Sequence, residues 1–216
     1  MDQVRPRAAR LEEDDPDGLV RTDVSVTSFA EAAQVVACAV AVARADADDH
    51  LWMDMRTDRV ILSVRNRQLG YVTPFDVELV ERLSATFHDR GWGCRPSATQ
   101  MLEMAIDAMD AAAIRPFWKA VLDYVDELEP AGPTDPLVDP RDQGPAIWFQ
   151  QMDAPRPQRN RIHLDLALPH DGAEARMAAA LAAGGTLVND AEARAFWVLA
   201  DAEGNEVCLC TWQDRD

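Results

Sequence analysis

Basic residues are scarce in this chain. Lysine and arginine total 21 against 38 aspartates and glutamates, a net charge of −17 at pH 7 and a pI near 4.5. Lysine occurs once, at Lys119. Phosphate backbones are held by clustered Lys and Arg, so this balance argues against nucleic acid, and against anionic membranes for the same reason. Cysteine is sparse too. Cys38, Cys94, Cys208 and Cys210 are too few and too scattered for a disulfide framework. Cys208 and Cys210 share one strand face by alternation and read as small buried residues. No apolar run is long enough to span a bilayer, and Met1–Asp14 lacks the apolar segment of a signal peptide. These absences imply a cytoplasmic protein with reduced thiols. What is present is globular: 48% hydrophobic and 27% charged residues over 216 positions, enough for one or two domains with their own cores.

The most informative stretch is 161–168, Arg-Ile-His-Leu-Asp-Leu-Ala-Leu. Its period-two alternation predicts a half-buried strand. Ile162, Leu164, Leu166 and Leu168 face one way, and His163 and Asp165 face the other. Downstream, 201–206 reads as a turn in which Gly204 and Asn205 tolerate positive φ. It feeds a second alternating strand, 206–212. Pairing of the two strands would point His163 and Glu206 into one concave sheet.

Taken in order, residues 1–22 form a charged arm with one short strand near 20–26. A helix follows from Ser28 to about Ala45, with Ser28 and Glu31 as a capping box. Phe29, Ala32, Ala33, Val36 and Val40 form its apolar face, and the run Asp46–Asp49 breaks it. Strands 51–55 and 59–64 flank a turn at Arg56-Thr57-Asp58. Thr73-Pro74-Phe75-Asp76 opens a second helix, with Phe75, Leu79, Val80 and Leu83 on its apolar side. Gly91 and Gly93 stop it, His88 stabilises its end, and Trp92 is read as an interdomain plug. Arg95-Pro96-Ser97 is a linker between domains at 23–95 and 98–216.

The helix–hairpin–helix stretch from about Phe29 to Leu83 resembles the pterin-4a-carbinolamine dehydratase family. The family's His-His-Pro signature falls on Asp49-His50-Leu51, and its third histidine falls on Arg67. Its helix entry matches Thr73-Pro74-Phe75-Asp76. The resemblance implies a degenerate catalytic set of His50, Asp49 and Arg67. Arginine cannot exchange a proton near neutral pH, so His50 and Asp49 are the acid–base groups that remain.

In the second half, strands are expected at 99–107, 146–152, 186–189 and 194–199. Helices run from Asp110 to about Tyr124 and over 173–183, and a proline-rich loop spans 127–145. Strand, helix, then further strands occur twice, an internal repeat of about 60 residues. Three segments carry a second resemblance: Trp148-Phe149-Gln150-Gln151, Asn160–Leu166, and Asp201-Ala202-Glu203-Gly204-Asn205-Glu206-Val207-Cys208. Together they resemble the glyoxalase/bleomycin-resistance (vicinal oxygen chelate) superfamily, glyoxalase-like branch. The resemblance implies paired βαβββ modules around a pocket. In metal-using members the ligands come from the first and last strands of each module. Those positions are here Glu103, His163, Glu206, and a fourth at Gln150 or Gln151. Such a set suits Zn, Mn, Fe or Ni, able to polarise a diol or ketone oxygen. Trp148, Phe149, Asp165, Trp197 and Trp212 are the expected pocket lining.

The expected fold is therefore α+β: a dehydratase-like helix–hairpin–helix domain, then paired βαβββ modules. The expected function is action on, or binding of, a small oxygenated metabolite, with a divalent metal as the implied cofactor. The chemistry would be of lyase, isomerase or dioxygenase type. The alternatives are a non-catalytic small-molecule binding protein, and residual dehydratase activity at His50 and Asp49. A small-molecule ligand and a homodimer are the expected partners, with no nucleic acid and no membrane.

Overall fold

Alternation and capping decide most of the elements in a computed structural model, which describes residues 19–95, 101–127, 130–155 and 162–214. They fall into two compact units, one ending at Leu102 and one beginning at Glu103.

The N-terminal unit runs β1 (Val20–Ser25), α1 (Phe29–Ala43), α2 (Ala47–His50), β2 (Leu51–Met55), β3 (Arg59–Val64), α3 (Pro74–Asp89) and β4 (Cys94–Arg95). Its antiparallel sheet has the order β2-β3-β1-β4. The last residues of the expected arm, from Val20, therefore belong to the sheet; residues 1–18 lie outside the described residues. Strands β2 and β3 fall where alternation puts them. Helix α1 differs in two ways. It ends at Ala43, and Asp46–Asp49 does not simply break the helix. Asp48 and Asp49 open α2 instead, where the dipole favours carboxylates. Its buried face is Ala32, Val35, Cys38, Ala39 and Ala43, while Phe29 and Val40 are exposed. Small alanines let the helix backbone lie close on the sheet. Ser28 Oγ caps Glu31 N–H as expected, at 3.2 Å. The Glu31 carboxylate reaches past Ser28 to accept from Thr27 N and Oγ1 at 2.6 and 2.7 Å. Those bonds hold its pKa below the usual value.

Helix α3 has a complete capping box. Asp76 Oδ2 accepts from Thr73 N at 2.7 Å and Thr73 Oγ1 at 2.6 Å, while Thr73 Oγ1 accepts from Asp76 N. Leu79, Leu83 and Phe87 face the core. Trp92 packs edge-on against Phe87 and donates to Glu31 Oε1 at 3.2 Å, so its ring serves the core of its own unit.

The C-terminal unit runs β5 (Glu103–Ala108), α4 (Ala111–Leu122), β6 (Val125–Asp126), β7 (Leu137–Val138) and β8 (Ala146–Gln151). It continues as β9 (Asp165–Ala167), α5 (Ala173–Ala182), β10 (Thr186–Asn189), β11 (Phe196–Ala200) and β12 (Glu206–Cys210). Its sheets have the orders β5-β8-β7-β6 and β9-β12-β11-β10. In each, the first strand lies parallel to the last, so the same βαβββ module occurs twice. One core joins them through Ile114, Phe117 and Trp118 of α4, Ala180 of α5, and Leu199 and Leu209 of the second sheet. Strand β9 is shorter than 161–168. It covers Asp165–Ala167, extended by Cys208 N–H to Leu164 O and Leu168 N–H to Cys210 O, both 2.8 Å. Ile162, expected on the buried face, is 76% exposed. Among the described residues no helix is long and apolar enough to cross a membrane.

Candidate functional site

The turn read at 201–206 is the frame of the site. Asp201 is buried and accepts four hydrogen bonds: Trp118 Nε1 and Asn205 Nδ2 at 2.9 Å, Glu203 N at 2.9 Å and Asn205 N at 3.0 Å. Gly204 supplies the positive φ of 87° that the turn needs. Glu203 reaches the other module, where its carboxylate accepts from Met109 N at 2.8 Å and Asp110 N at 2.7 Å, at the start of α4. The two modules are thus pinned where β5 and the entry to β12 meet.

A cavity of about 310 Å³ opens there. Met104, Ile106, Trp118 and Leu164 supply apolar wall, and Asp107, Asn205 and Glu206 supply polar wall. This combination of apolar surface and a few convergent polar groups is that of a small-molecule pocket. Carboxylates accept hydrogen bonds and do not donate when ionised. Asn205 gives one of its two amide N–H groups to Asp201, and its side-chain carbonyl is of acceptor type. The wall therefore offers acceptors to a bound hydroxyl group.

The expected metal set does not gather around one point. Glu103 stands beside Ala146, and Gln150 stands beside Asp107, four residues further along each strand. That separates Glu103 and Gln150 by about 13 Å along the sheet. Continuing the pairing of Asp165 with Cys208 by two residues puts His163 beside Glu206. The position equivalent to Glu206 in the first module is therefore Ala146, which has no donor atom. Gln150 Nε2 donates to Gln151 O at 3.4 Å, and Gln151 Nε2 donates to Met109 O at 3.0 Å. His163 is exposed and shares with Glu206 a cleft of about 10 Å³, room for no more than a water molecule. Among the described residues no three His, Cys, Asp or Glu side chains are grouped to hold a metal ion. The residues present do not fit the implied cofactor.

The expected aromatic lining is also redistributed. Phe149 and Trp197 are buried in the core, and Trp148 is half-buried beside Ala105. Trp212 is 69% exposed and donates to His170 Nδ1 at 3.3 Å. The aromatic wall is instead Trp118 of α4, a residue that spacing and alternation did not single out. Asp165 accepts from the Cys208 thiol; burial first, then this bond, pushes that thiol up to about 11. Cys208 is thus a protonated, non-nucleophilic neighbour.

In the N-terminal unit, His50 Nδ1 lies 2.6 Å from Asp76 Oδ1, and Asp76 is fully buried. Phe75 packs on the imidazole, with ring centroids 4.6 Å apart. Arg67 lies over Trp52 at 4.8 Å and donates to Asp48 O at 3.1 Å, so it is a stacking and tethering residue. Asp49 is exposed, and its backbone O accepts from Arg67 N at 2.9 Å. Sequence reasoning used Asp76 only as a cap and missed its place beside His50.

The sequence profile of the glyoxalase-like domain matches residues 103–210, half of the 216-residue chain. The chain belongs to the glyoxalase-like domain family. No curated protein matches it. A glyoxalase/bleomycin resistance protein/dioxygenase family enzyme from Burkholderia phytofirmans PsJN is 19% identical, with TM-score 0.41 over 50% of this chain and 95% of that one. A glyoxalase-related enzyme from Fulvimarina pelagi is 15% identical, with TM-score 0.43 over 52% of this chain and 88% of that one. Fosfomycin resistance protein FosX from Mesorhizobium loti is 10% identical, with TM-score 0.41 over 51% and 90%. The matched residues begin at the first residue of β5 and end at the last of β12, so the glyoxalase-like domain is the pair of modules.

Proposed function

We propose that the glyoxalase-like unit binds a small, hydroxyl-bearing metabolite in the cavity beside β5 and β12. The observation that carries this reading is the acceptor-rich wall of Asp107, Asn205 and Glu206 facing apolar Met104, Ile106 and Trp118 in a space of about 310 Å³. The apolar side buries the carbon skeleton. The carboxylates and the Asn205 carbonyl orient hydroxyl groups. A carboxylate has about four lone-pair sites, so it can serve a ligand alongside other partners. On this reading the contacts are the cavity's own side chains; of the donors expected for a metal, Glu103 and Gln150 stand four residues apart along their paired strands.

The test is a thermal-shift screen of chelator-treated, full-length protein against small diols, hydroxy acids and hydroxy ketones. A ligand at about one hundred times its Kd should raise the unfolding temperature of this unit by about 5 °C or more. Silence across the panel, with stabilisation returning only on addition of a divalent metal, would refute it.

A second reading concerns the N-terminal unit, and the contact between His50 and buried Asp76 favours it. An imidazole oriented by a carboxylate is a competent general acid–base group. On this reading the unit retains residual dehydratase activity on a pterin 4a-carbinolamine. Turnover of that substrate, abolished in His50→Ala, is the expected result; equal rates in both proteins would dispose of it.

A further inference from the structure

The N-terminal unit contains a cavity of its own, about 130 Å³, between α3 and the helix-facing side of β1 and β3. Leu62, Val64, Val80, Leu83 and Phe87 make its wall apolar. Ser84 is exposed and stands at the mouth. Arg21 contributes to the wall, but its Nε donates to Ser63 Oγ at 2.9 Å, on the other face of the sheet. Cys94 and Thr22 add polar atoms. Burial pushes the Cys94 thiol up, so it is neutral and a weak donor. The Thr22 hydroxyl oxygen is shielded from solvent and has no hydrogen-bond partner among the described residues.

These features select an occupant. A buried water needs about two to four polar partners, and this wall offers one strong one. Apolar cavities of about 150 Å³ take a guest the size of benzene. Rotation about Thr22 χ1 turns either its methyl or its hydroxyl towards the space. We propose that this cavity binds a small, uncharged aromatic or alicyclic molecule bearing one oxygen acceptor, to which the Thr22 hydroxyl donates. The two cavities share no lining residue, so this proposal does not rest on the proposed function.

Amide shift mapping of nitrogen-15-labelled, full-length protein, titrated with phenol and with benzene, tests this. Phenol should shift the amides of Thr22, Leu83, Ser84 and Cys94 saturably and bind roughly fivefold more tightly than benzene, the worth of one hydrogen bond. Thr22→Val should erase that preference while benzene still binds. Ser84→Phe, which closes the mouth from an exposed helix position, should weaken both probes. Absence of saturable shifts at these amides would overturn the proposal. So would a phenol preference that survives Thr22→Val, or binding untouched by Ser84→Phe.

Discussion

Asp201 decides whether the glyoxalase-like cavity keeps its wall. Its carboxylate takes donors from Trp118, Glu203 and Asn205, and two of those residues line the cavity. Asp201→Ala would leave the buried Trp118 Nε1 and three part-buried donors without this acceptor. A loss of about 3 kcal/mol in the stability of this unit is expected from urea unfolding. Trp118→Phe removes one donor and replaces the buried indole with a smaller phenyl ring, so about 2 kcal/mol is expected. Equal losses in the two variants would mean that the ring, and not the carboxylate, holds the turn. The sequence made the turn visible through Gly204 and Asn205. It did not reveal that Asp201 is buried, because an Asp in a turn reads as solvated. Likewise, Asp76 was visible as a helix cap, but its approach to His50 spans 26 positions and needed the fold.

At the scale of elements, Asp126 on β6 joins two side chains of α4. It accepts from Lys119 Nζ at 2.6 Å and Arg115 Nη2 at 2.7 Å. The Lys119 bond first, with Arg115, holds its carboxyl below the usual range. A depressed carboxyl pKa adds stability that is present above the unfolded value, near about pH 4, and is lost as pH falls through the folded value. Asp126→Asn should therefore be less stable than the parent at neutral pH. The gap should close below about pH 4, and a gap constant across the acid range would contradict this. Gly185, just after α5, lies against Phe117 so closely that an added Cβ would overlap its ring. Gly185→Ala should cost about 1–3 kcal/mol by overpacking, read as a lower denaturation midpoint. Elements with clear ends were legible: β2, β3 and β10 fall on the expected residues, although β10 is exposed throughout, and Thr73 and Asp110 cap as read. The face of α1 was not. Alanine and valine surround that helix, so periodicity alone does not choose a side; the close fit of Ala32 and Ala39 on the sheet does.

For the molecule as a whole, the repeat and the family were readable because each module repeats the same order of strand, helix and strands. The site was only partly readable. Alternation fixes which face a residue takes, whereas pairing register fixes its level along the strand. Glu103 opens β5, whereas His163 lies two residues before β9. In the first module Glu103 pairs with Ala146, and Gln150 lies four residues further along β8. On the proposed function, the cavity takes its ligand through its own side chains. The most direct measurement is amide shift mapping of the chelator-treated, full-length protein against a panel of small hydroxyl-bearing compounds. Ala105→Phe serves as the control, since Ala105 is an exposed residue of β5 that lines the cavity. Saturable shifts are expected at Met104, Ile106, Asn205 and Glu206 without metal, abolished in Ala105→Phe. Ligand shifts that leave these amides unmoved, or that persist in Ala105→Phe, would contradict it.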